Sequence, residues 1–153
     1  GMDVSHFGAI WHIHKIAQLM ETDLNRISRK YGLSIADFHL LGAIMIEQPH
    51  PATAAKLAAA LNVSTAALSV RVSRLTNAGH LTQKNAPKDR RIKHLHVTEA
   101  GQNAVTAIGL DLQNSGRFAH HIRKFSADDR ARLDSLLADL HTMLNRDFLP
   151  TAR

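Results

Sequence analysis

STAALSVRVSRLTNAGHLTQKNAPKDRRIKHLHVT, residues 64–98, is the stretch whose reading decides the fold. Ser64 stands as a helix N-cap, the helix it opens runs to about Ala78, and Gly79 ends it in the favoured way. Two short β-prone runs follow, 81–84 and 92–97, separated by NAPKDRR. In the second run Lys93, Leu95 and Val97 fall on one face and Ile92, His94 and His96 on the other, the period of a strand. Between Ser64 and His94 lie Arg71, Arg74, Lys84, Lys88, Arg90, Arg91 and Lys93 against one acid, Asp89. These are seven of the chain's 19 Lys and Arg but one of its 13 Asp and Glu, so the rest of the chain holds 12 of each sign. The whole net charge of +6 is therefore local, as a surface that binds a polyanion requires.

Working outward, residues 53–61 (TAAKLAAAL) predict a short Ala-rich helix with Leu57 and Leu61 on one face, broken by Asn62-Val63. Two short helices joined by a three- to four-residue turn match a helix-turn-helix, and the small alanines let them cross closely. A hairpin directly after that unit is a wing with a basic tip. Before it, apolar residues recur by threes and fours from Phe7 to Tyr31, which predicts a helix of about six turns stopped at Gly32. A second helix begins at Ser34, with Asp37 in its first turn and Leu33 and Phe38 placed as a hydrophobic staple. Pro49 and Pro51 end it. After the wing, Thr98 caps a helix through Val105, Ile108 and Leu112 towards Ile122, which Gly109 and Gly116 weaken or bend. A last helix starts near Ser126 and carries Leu133, Leu136, Leu137, Leu140, Leu144 and Phe148. We read residues 2–48 as N-terminal helices for dimerisation and support, 49–98 as the winged helix-turn-helix lobe and 99–150 as C-terminal dimerisation helices, in one intertwined domain.

The second helix of a helix-turn-helix presents its first half to base edges in the major groove. Here that half offers Ser64, Thr65, Ala66, Ser69 and Arg71, with Arg74 further along. Lys88, Arg90 and Arg91 at the wing tip suit a narrow minor groove or its phosphates, and Asp89 is assigned to orienting the tip. Double-stranded DNA is the expected partner.

With these residues in place, LAAALNVSTAALSVRVSRLTNAGHL (57–81), PKDRR (87–91) and LHVTEAG (95–101) resemble the multiple-antibiotic-resistance regulator (MarR) family. Asp89-Arg90-Arg91 matches its D-x-R wing, and residues 97–101 its L-T-x-x-G. One departure is Val70, directly after Ser69, where family members often carry Arg or His. The resemblance covers nearly the whole chain. It implies a mainly α fold with a small β-hairpin wing and a homodimeric repressor or activator modulated by a small ligand; we read the chain as a cytoplasmic regulator, a repressor first and an activator as the alternative, on a pseudo-palindromic operator. The outer helices would form the dimer interface, for which the candidates are Phe7, Ile10, Leu133, Leu137, Leu140, Leu144 and Phe148. A small aromatic or anionic effector would bind between interface and winged helix; Trp11, His14, Phe38 and His39 are the candidate contacts.

Other classes fare worse. With no cysteine, disulfides, thiolate metal sites and cysteine nucleophiles are excluded. No nucleophile elbow, HExxH, P-loop or dinucleotide fingerprint is present, and no cofactor or enzyme activity is expected. No apolar run is long enough to span a bilayer, so no membrane partner is expected. The 11 histidines raise a metal-responsive alternative through His94, His96, His120 and His121. However, His12 and His14 lie about 200° apart on a helix and cannot share an ion, so no metal site is assigned. A winged helix that binds protein is the other alternative, and Arg90 and Arg91 at the tip speak against it.

Overall fold

The computed structural model describes residues 4–47, 52–86 and 92–148. Helix α1 (Phe7–Ser28) tightens into a 3₁₀ turn (Arg29–Tyr31) that closes on Gly32, where the periodicity places the stop. Helix α2 (Ile35–Glu47) opens on a reciprocal cap. Ser34 Oγ accepts from the Asp37 N–H at 3.2 Å, and the Asp37 carboxylate accepts from the Ser34 N–H at 2.8 Å and its hydroxyl at 2.6 Å. Strand β1 (Ala52–Thr53) leads directly into α3 (Ala54–Ala60), α4 spans Thr65–Asn77, and strands β2 (Leu81–Asn85) and β3 (Lys93–Val97) form the hairpin. Helices α5 (Glu99–Ser115), α6 (Arg117–Ile122) and α7 (Ala127–Phe148) complete the chain.

The sheet has the order β1-β3-β2, antiparallel throughout, with Leu81 opposite Val97 and Ala52 opposite Leu95. The two-residue β1 is invisible to periodicity, since Thr53 reads only as the start of a helix. In the structure Thr53 both pairs with His94 and caps α3 through Oγ1, which accepts from the Lys56 N–H. Leu95 and Val97 are buried as the alternation requires, and with Leu57, Leu68, Val72, Leu75 and Leu81 they pin the wing to α3 and α4. The same core takes in Ile27, Leu40, Leu41, Ile44 and Ile108, so α1, α2 and α5 are fixed to the helix-turn-helix by one continuous apolar cluster.

The expected helix from Thr98 towards Ile122 is broken at Gly116, where the backbone turns extended (φ −68°, ψ 128°). The break is held from outside. Buried Asp23 on α1 accepts the Arg117 N–H at 2.6 Å, supplying the cap that the local sequence lacks. Arg26 binds the same carboxylate at 2.8 Å and reaches the Ser115 carbonyl at 3.3 Å. Burial pushes the Asp23 carboxyl up, but the hydrogen bonds from Arg26 and the Arg117 N–H outweigh it and hold the group below its ordinary pKa. One turn earlier on the same face of α5, Lys30 and Tyr31 both bind Asp111, at 3.0 and 3.3 Å.

Helix α7 packs differently from the rest. Every residue from Ala127 to Asp147 is exposed, including Leu133, Leu136, Leu137, Leu140 and Leu144 at 37–60%. The first half of α1 is equally bare, with Phe7, Ile10, Trp11, Ile13 and Ile16 at 43–59%. Two amphipathic helices with dry-side residues in water are incomplete structures.

Candidate nucleic-acid interface

Helix α4 is capped by Ser64, whose Oγ accepts from the Ala67 N–H at 3.1 Å. Leu68, Val72 and Leu75 face the core; Thr65, Ala66, Ser69, Val70, Ser73, Arg74 and Asn77 are exposed, and Arg71 is half-buried. At about 100° per residue, Ala66, Val70, Ser73 and Asn77 lie within about 40° of the direction opposite Leu68. They form the outermost ridge. Thr65 and Ser69 lie on the wing-side flank, where Ser69 and Ser73 line a groove with Thr53, Ala54, Ile92 and Lys93.

Both arginines lie on the opposite flank, towards α2. The Arg74 guanidinium is ion-paired to Asp37, whose side chain is 1% exposed while that of Arg74 is 55% exposed. Arg71 sits near His39: partial burial first, and then the Arg71 charge, hold that imidazole below its ordinary pKa. The Arg74–Asp37 pair escapes the sequence reading, in which Asp37 is only a helix-start residue and Arg74 only a base or phosphate ligand. The two stand 37 positions apart, and nothing in local spacing announces that they meet.

One hydroxyl ties the end of α4 to the start of α5. Thr98 Oγ1 donates to the Gly79 carbonyl at 2.7 Å and accepts from the Gly101 N–H at 3.1 Å, capping α5 while fastening the turn that ends α4. The Thr98 N–H adds a bond to the His80 carbonyl at 3.1 Å. Gly101 is required at this crossing, since a Cβ there would stand 2.3 Å from the His80 carbonyl oxygen and 2.7 Å from a Val97 methyl.

Lys88, Asp89, Arg90 and Arg91 lie outside the described residues, as do Pro49 and Pro51. Lys84 and Lys93 are exposed on the two strands that lead to the tip. The candidate effector contacts fall in two separate places within one chain. Phe38 packs against the core one turn into α2, with the His39 ring 6.0 Å from its own, and the nearby Ile35 N–H binds Asn25 near the end of α1. Trp11 stands 14 residues before Asn25, about 21 Å along the helix axis, 59% exposed with Lys15 Nζ 5.5 Å from its ring centroid. His14 is exposed on the same free half of α1. Phe148 closes α7, but its side chain is outside what is described. Among the described residues no group of three or more His, Asp or Glu is placed to hold a metal ion, and no helix is long and apolar enough to cross a membrane.

Comparison with known proteins agrees with this architecture. Residues 31–92 match the family model described as "MarR family". The chain is 24% identical over 148 residues to the HTH-type transcriptional regulator PecS of Dickeya dadantii, covering 95% of this chain and 88% of that one. The structure of AbsC, a MarR family transcriptional regulator from Streptomyces coelicolor, superposes with a TM-score of 0.78 at 23% identity, over 94% of this chain and 97% of that one. A mutant of E. coli MarR complexed with operator DNA gives a TM-score of 0.74 at 22% identity, over 91% and 99%. The matched segment spans the helix-turn-helix and ends just before β3, the shared fold extends to the helices on either side, and over residues 31–92 the chain is similar to the MarR family.

Proposed function

We propose that this protein is a transcription regulator that binds double-stranded DNA as a homodimer, reading a pseudo-palindromic operator with α4 and the wing. The observation that carries the proposal is the exposed outer face of α4, fully capped and backed by core, in the one segment that holds the chain's whole excess of positive charge. The solved relative bound to operator DNA has the same fold, and the family is one of transcription regulators, not enzymes. The bare apolar faces of α1 and α7 support the homodimer, because a second copy would cover what one chain leaves wet. Twofold symmetry would then set the two α4 helices about 34–36 Å apart, one turn of the duplex.

An effector that alters this spacing would act as a small aromatic or anionic molecule at the junction of dimer arm and reader, releasing a repressor from its site. The Thr98 clasp supports such coupling, since α4 cannot shift without pulling on α5. Trp11 and His14 would reach an effector at the dimer interface, and Phe38 and His39 from the side of the reader.

The test is affinity for selected duplexes across salt concentration. Each phosphate neutralised contributes a slope of about −0.9 in log K against log salt, so several contacts give a steep line. A flat response, or failure to enrich any sequence from a random duplex pool, would overturn the proposal.

A further inference from the structure

The outermost ridge of the reading helix is short and apolar at its centre. Val70 is 69% exposed, the most exposed large hydrophobic residue among those described in the winged-helix unit, and it lies about 200° around α4 from buried Leu68. Ala66 lies one turn before it on the same ridge and Ser73 about one turn after, so three small or branched side chains make the leading edge. The long cationic side chains that ordinarily fork onto guanine are not there. Arg74 is turned aside to Asp37, and Arg71 sits half-buried on the flank beside His39. A β-branched side chain costs helix stability and gains nothing in water, so its place on this ridge points to an apolar surface on the partner. In the major groove the only apolar group on a base edge is the C5-methyl of thymine.

We propose that Val70 is a specificity-determining residue that packs against a thymine C5-methyl in each half-site, with Ala66 giving the close approach. Specificity along the centre of α4 then comes from methyl contact and shape, and the arginines on its flank serve the phosphates and the helix's own seating. The inference rests on the DNA-binding reading proposed above.

The test uses the full-length protein and a duplex recovered by it from a random pool. Each thymine is replaced singly, on both half-sites together, by deoxyuridine, which removes the methyl and leaves every hydrogen-bonding edge intact. For the wild type, one symmetry-related pair of replacements should weaken binding by about fourfold per methyl contact, the factor expected for one buried carbon. Val70→Ala should lose affinity on the thymine duplex and become indifferent to thymine or deoxyuridine at that pair. Val70→Arg, selected afresh, should move the preferred base there to guanine. Because the position is exposed, both variants should melt with the wild type, which separates a contact from a folding defect. Undiminished discrimination of thymine from deoxyuridine in Val70→Ala, or its absence at every position in the wild type, would overturn the inference while leaving DNA binding intact. Recovery of no duplex at all would overturn both.

Discussion

Replacing Arg74 by Met probes the pair that seats the reading helix. The substitution keeps the aliphatic stem and deletes the guanidinium, leaving the Asp37 carboxylate buried with only the two Ser34 donors, at 2.8 and 2.6 Å. Removing one partner of a fully buried ion pair costs ~3–5 kcal/mol. Here the Arg side chain is 55% exposed and the carboxylate keeps two of its bonds, so the expected loss is about 2 kcal/mol. For a chain of this length that lowers the melting temperature by roughly 4–8 °C. Asp37→Asn removes the charge but keeps an acceptor for the cap, and the double variant should lose clearly less than the sum of the two, with a coupling of about 1.5 kcal/mol. The assay is thermal and urea denaturation of all four proteins at one protein concentration, since the apparent stability of any self-associating chain depends on it. An Arg74→Met protein that melts within about 1 °C of wild type, or a coupling near zero, would refute the reasoning.

Three further outcomes are expected. Because the Asp23 pKa is lowered in the folded protein, its contribution is present above the unfolded carboxyl value, near 4, and is lost as pH falls through the lower folded value. Urea titrations should therefore show wild type more stable than Asp23→Ala at pH 7, with the gap narrowing below about pH 4; a gap independent of pH would contradict it. Gly101→Ala should cost about 2 kcal/mol or more, because its methyl meets the His80 carbonyl and backbone cannot step aside cheaply; unchanged denaturation would refute the close crossing. Leu137→Asp with Leu144→Asp should convert a sedimenting dimer to a monomer that keeps its helical circular dichroism, since neither side chain is buried in its own chain; a persisting dimer would remove α7 from the interface.

How much is legible beforehand depends on the range of the forces involved. The caps at Ser64 and Thr98, the stop at Gly32, the alternation of Leu95 and Val97 and the confinement of charge to one segment are short-range patterns, and each can be read because its partners lie within a few residues. The unmatched stripes on α1 and α7 are visible for the same reason. Strand β1 escapes because two residues carry no period, and it exists only where β3 offers a ladder to join. The same holds at Gly116. The glycine marks a weak point, but whether the helix bends or breaks is settled by a carboxylate 94 positions away that reaches the Arg117 N–H.

Sequence alone therefore determined the class of the fold, the winged helix-turn-helix and its charged character, because these follow from local propensity, periodicity and composition. The tertiary structure decided which side chains of α4 are free to act. Arg74 reads as a groove ligand in the sequence, and the structure adds to it an ion pair with Asp37, 37 positions earlier, that local spacing does not announce. Val70, a departure from pattern in the sequence, becomes the leading edge because Leu68, Val72 and Leu75 turn inward against the core. Burial is a property of the assembled chain, and only assembly chooses which residues of a helix remain for a partner.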